Sequence, residues 1–100
     1  MDTSNTIMHH YLSTQTTTTD TTIIGNSMYV TSFLLHCTDE SRSFYSIGVH
    51  ILDTKHSRAD TEIVWDITND PILAQDYYER IRDGNVTPIT LKDVMENLLA

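Results

Sequence analysis

Cysteine occurs once in this 100-residue chain, at Cys37, so neither an intramolecular disulfide nor a cysteine-based zinc framework can be assembled from it. Cations are also scarce. Six Lys and Arg stand against 14 Asp and Glu, giving a formal charge of −8. Direct binding to nucleic acid or to an anionic membrane needs Lys and Arg to neutralise phosphates, so neither class of partner is expected. No apolar run approaches the roughly 18–20 residues of a membrane span. The N-terminus lacks the basic and apolar segments of a signal peptide, which makes the cytoplasm the expected compartment. An Asp-x-Asp-x-Asp-Gly calcium loop is missing too. What remains is enough length for one domain with one modest core.

Residues 1–24, beginning MDTSNTIMHHYLSTQTTTTDTT, are Thr-rich with few large apolar side chains. Such a run offsets little of its own ordering entropy and is expected to be a disordered arm. A single α+β domain is expected over residues 27–100. MYVTSFLLHCT (28–38) is β-branched, aromatic and apolar, and reads as a strand. SFYSIGVHILD (43–53) and DTEIVWDIT (60–68) alternate at period two. With short polar connections, these make a three-stranded antiparallel meander.

The period then changes to 3.6. Asp70-Pro71 opens a helix whose apolar stripe is Ile72, Leu73, Tyr77 and Ile81, with Ala74 and Tyr78 beside it, and Gly84 is expected to close it in the left-handed conformation. After the extended link NVTP, Thr90 is expected to cap a second helix, with Asp93 three residues on and Leu91, Val94, Met95, Leu98 and Leu99 at helical spacing. The predicted architecture is β-β-β-α-α, with the helical hairpin packed on one face. Its predicted core is Trp65, Ile47, Val49, Ile63, Ile81, Leu91, Val94 and Leu98.

The stretches YSIGVHI, WDIT and VTPITLKDVMENLL, within residues 44–99, resemble a small uncharacterised domain family of Gram-positive, mainly clostridial, bacteria. In that family a Tyr-Gly-Ile strand and an Asp-Ile strand end precede a helix and a Val-(Ser/Thr)-Pro-x-x-Leu-(Arg/Lys)-Asp-Val-Val-Glu-Asp motif. This chain departs from it at Ser46-Ile47-Gly48, where the family more often puts Gly directly after Tyr. The resemblance implies a bacterial origin and the same order of elements. It carries over no catalytic residues.

Candidate chemistry is thin. His36 and Cys37 are adjacent on one strand and so face opposite sides of a sheet, and no Gly-rich turn follows to supply an oxyanion site. His36, His50 and nearby aspartates fall short of a zinc ligand set. No catalytic residue, metal or cofactor is therefore expected. Two features point instead to a protein partner. Residues 60–100 carry nine acids against three bases, including Asp76, Glu79 and Asp83 on the first helix. Such a patch suits a basic protein surface. Strand 28–38 is apolar on both faces and would be a sheet edge, so Phe33, Leu34 and Leu35 invite strand pairing or a homodimer. The function expected is a small acidic, non-enzymatic protein-interaction module of regulatory type. The competing reading is a phage-type acidic inhibitor that imitates DNA, of the anti-CRISPR kind.

Overall fold

A computed structural model describes residues 12–100, and the expectation for residues 1–11 lies outside the described residues. Four strands and two helices follow in order: β1 (Ser13–Ile24), β2 (Met28–Thr38), β3 (Ser43–Asp53), β4 (Arg58–Thr68), α1 (Pro71–Asp83) and α2 (Pro88–Leu99). The sheet is an antiparallel meander in the order β1-β2-β3-β4. The α+β class and the helical pair agree with the sequence, but the sheet has four strands rather than three. The additional one is the second half of the Thr-rich stretch.

β1 forms because β2 supplies what the Thr run lacks. Its backbone pairs with β2 from Ser13↔Thr38 to Ile24↔Met28, with one irregularity at Thr17. Gly25, at φ +63°, turns the hairpin between them, a conformation that glycine adopts without steric cost. β-Branched threonines suit that extended backbone. Strand 28–38 is consequently an interior strand, flanked by β1 and β3. The expected edge at Phe33, Leu34 and Leu35 is already occupied.

The helices cover one face only. Leu34, Ile47, Val49 and Ile67 of the sheet pack with Ala74, Tyr78 and Ile81 of α1, Val86 of the link, and Leu91 and Met95 of α2. Within α1 the buried stripe is Ala74, Tyr78 and Ile81, while Ile72 is 82% exposed. The expected stripe was therefore rotated by about one residue. Val94 and Leu98 are half-buried at the margin of this core.

The opposite face carries a second, smaller cluster of Leu35, Cys37 and Phe44, with Phe33 and Ile63 against it. Phe33 pairs with Gly48 across the strands, and a Cβ on Gly48 would lie 2.1 Å from the Phe33 ring. Glycine is required there because the ring occupies the space above it. Trp65 alternates away from Val64 and is 49% exposed, so it is no part of the main core. Beside it Asp66 adopts φ +60° within the β4 irregularity.

Both expected helix boundaries shift. Gly84 ends α1 with φ −89°, and the left-handed step falls on Asn85 at φ +54°. Thr87 is the N-cap of α2, and the Thr90 hydroxyl accepts from the Thr87 N–H at 3.1 Å. Pro88 takes the first helical position, where its missing N–H costs nothing. The start of α1 is as the sequence implies, with Asp70 Oδ1 accepting from Ile72 N–H at 2.9 Å.

Candidate functional site

The sheet has two outer strands, and their chemistry differs. β4 carries Arg58, Asp60, Glu62 and Asp66, and is interrupted near Asp66. The Arg42 guanidinium pairs with the Asp66 carboxylate and also lies over the Phe44 ring, 4.6 Å from its centroid. α2 packs chiefly against β4. Charges, a bulge and a covering helix are the devices that keep an outer strand from pairing with other chains.

β1 has almost none of these. Its twelve residues, STQTTTTDTTII, include one charged side chain and no Lys or Pro. All are exposed except Thr18, which is half-buried. The helices pack chiefly on β2, β3 and β4, and α1 reaches β1 only through side chains such as Tyr78 and Arg82 at Asp20. Among the described residues its outer backbone N–H and C=O groups face no strand.

Three contacts hold β1 in register. Thr17 Oγ1 donates to the Leu34 carbonyl at 3.2 Å, and the Thr21 and Thr31 hydroxyls lie 2.9 Å apart. The third is Asp20, the one charge of the strand. The Tyr78 hydroxyl donates to its carboxylate, and Arg82 Nη1 lies 3.9 Å from Asp20 Oδ2. Tyr78 is fully buried, and burial together with the Asp20 carboxylate pushes its ionisation well above the ordinary tyrosine value. Asp20 is thus tied back to α1, and the other side chains of β1 are uncharged.

The acids expected to meet a partner lie apart from this edge. Asp76, Glu79 and Asp83 are exposed on α1, but each has a neighbour of its own. Arg80 Nε donates to Asp76 at 3.0 Å, Gln75 donates to Glu79 at 3.0 Å, and Arg82 Nε donates to Asp83 at 2.8 Å. The Arg82 hydrogen bond holds the Asp83 carboxyl below the usual range. Leu34 is sealed in the main core, Leu35 is buried in the second cluster, and Phe33 is half-buried over Gly48. The structure does not bring these six residues together.

The groups with catalytic potential are also separated. Cys37 is fully buried, with its Sγ 3.5 Å from the Ser46 hydroxyl. His36 stacks on Tyr45 at a centroid distance of 4.8 Å. His50 Nδ1 is 2.6 Å from the Thr61 hydroxyl. Among the described residues no three His, Cys, Asp or Glu side chains converge as metal ligands. No helix of the described residues is long and apolar enough to cross a membrane.

The register divides the face away from the helices into bands. Ile23, Tyr29, Leu52 and Ala59 form an apolar row, and Thr21, Thr31, His50 and Thr61 form a polar one beside it. Next come Thr19, Phe33, Gly48 and Ile63. Compared with family models, curated proteins and solved structures, the chain matches none.

Proposed function

We propose that this chain is a small acidic, non-enzymatic protein-interaction module that binds by adding a strand to β1. The observation that carries this reading is the outer edge of β1, which is long, carries a single charge, is exposed along almost its whole length and faces no strand among the described residues. Strand addition draws its affinity from main-chain hydrogen bonds and its selectivity from alternate side chains. β1 offers both: backbone groups that face no strand among the described residues, and a ladder of Thr residues ending in Ile23 and Ile24. The acidity of the rest of the molecule keeps it soluble and disfavours acidic partners at other surfaces.

Site-specific photocrosslinking in living cells tests the proposal. A photoreactive amino acid is placed at Thr19 in one variant and at Asp76 in another. Covalent protein adducts from the Thr19 position, and none from Asp76, are expected. Adducts from Asp76 alone would overturn strand addition and favour an acidic surface that imitates nucleic acid.

A further inference from the structure

We infer that the strand added to β1 is the β1 of a second copy of this chain, giving one continuous eight-stranded antiparallel sheet. The inference rests on β1 being the interaction edge, and it goes further by naming the partner. Two molecules that each carry a formal −8 repel one another over most of their surfaces. Of the two outer strands β1 is the one where that repulsion is less, because its only charge is Asp20 and that carboxylate is engaged by Tyr78 and Arg82.

Symmetry and the ladder pattern fix the register. Closely and widely spaced pairs alternate along an antiparallel ladder. A two-fold symmetric pair must therefore set one residue directly opposite its own copy. With the irregular Thr17 left out of the count, an axis at Thr19 uses the whole strand, from Ser13 to Ile24. It places Thr19 opposite Thr19 of the second copy, and Thr21 opposite its Thr16. Asp20 falls opposite its Thr18, so the two carboxylates do not meet. Both helical layers then lie on the same side of the joined sheet. The banded apolar and Thr rows of the two copies form a single surface on the other side.

Neighbouring features agree with this geometry. The helices pack chiefly on β2, β3 and β4, inward of the β1 edge that a second sheet would approach. The Thr21–Thr31 hydroxyl contact shows that opposed threonines already bond across strands in this sheet. Such Thr–Thr pairs stabilise antiparallel pairing.

The test is sedimentation velocity of the full chain from low to high micromolar concentration, beside Thr19→Lys on β1 and Ala59→Lys on β4. The two variants change charge equally, but only Thr19→Lys sets like charges directly opposite one another. The parent and Ala59→Lys should show a concentration-dependent dimer boundary, and Thr19→Lys should lose it. Thr19→Cys gives an independent readout should the Lys variant fail to fold. Under mild oxidation it should form a covalent dimer, and Ala59→Cys should not. A parent that stays monomeric throughout, together with no covalent dimer from Thr19→Cys, would overturn self-pairing. If Thr19 photocrosslinks to a different protein in that case, β1 is still an interaction edge but its partner is not a second copy. Loss of the dimer in Ala59→Lys with its retention in Thr19→Lys would overturn the assignment to β1.

Discussion

β4 and β1 are the two outer strands of one sheet, of nearly equal length, and β4 carries much the fuller protection. β4 has charges of both signs, a bulge at Asp66 and α2 against it. β1 has threonines, one tethered aspartate, one irregularity at Thr17 and, among the described residues, no helix packed chiefly against it. The lesson is that a strand's place in the sheet does not decide whether it binds. What decides is whether its unpaired backbone is blocked by charge, distortion or cover. The molecule blocks one edge and leaves the other available.

The largest change to the available edge comes from removing it altogether. Deleting residues 1–24 strips β2 of its partner from Thr38 to Met28 and uncovers Leu35 and Cys37. The melting temperature should fall by about 10 °C or more, which for a domain of this size corresponds to roughly 2 kcal/mol. Thermal unfolding followed by circular dichroism checks this. A truncated chain that melts with the parent would show that β1 is dispensable to the sheet.

Tyr78→Phe loosens β1 without removing it. The variant deletes the hydroxyl that donates to Asp20 and, at 3.1 Å, to the Ser32 carbonyl. Leaving these acceptors short of a donor should cost about 1–3 kcal/mol. Amide exchange should accelerate in β1 more than in β4. Alkali gives a further check. Because the folded-state Tyr78 value is raised, its stabilising contribution is complete below the ordinary tyrosine pKa of about 10 and is lost as pH rises beyond it. Denaturant titrations of Tyr78→Phe and the parent should therefore converge in strong alkali.

On the protected side, Trp65→Ala should cost only about 1 kcal/mol, because the ring is half exposed and packs outside the main core. Leu91→Ala should cost about 2–5 kcal/mol, since Leu91 is fully buried under both layers. Equal losses in urea titrations of the two variants would return Trp65 to the core.

The smallest effect concerns the β3–β4 turn. The Asp53 carboxylate accepts from the His56 ring at 2.8 Å and from the Lys55 and His56 backbone N–H groups at 3.1 and 3.2 Å. These bonds, the His56 side chain foremost, hold its pKa below the ordinary value. A depressed carboxylate stabilises the fold above its unfolded pKa of about 3.9, and the contribution disappears as pH falls through the folded value. NMR titration should find Asp53 below the usual range, and Asp53→Asn should flatten the acid limb of stability slightly.

Much of this fold could be read from the pattern of residues. The period-two alternation of 43–53, the Asp70-Pro71 start of α1 and the helical spacing of Leu91 and Met95 each reflect a local preference that packing reinforces. β1 was illegible for a physical reason. Its residues bury almost nothing, so no hydrophobic alternation marks them, and the ladder with β2 alone orders them. One local signal was present: Ile23-Ile24 and Met28-Tyr29-Val30 flank Gly25-Asn26-Ser27, a short Gly-containing loop between β-favouring runs. Trp65 misled because alternation shows which residues share a face, but not which face the helices cover. The outer edge of the sheet is hidden for the same reason, since β2 reads as an edge only when residues 1–24 read as a disordered arm.

Strand-resolved amide hydrogen exchange at low and at high micromolar concentration compares the two edges most directly. β1 amides should become more protected as concentration rises, with Thr18 to Thr22 changing most, while β4 amides between Arg58 and Glu62 keep one rate. Identical β1 exchange at both concentrations, or added protection confined to β4, would contradict self-pairing through β1.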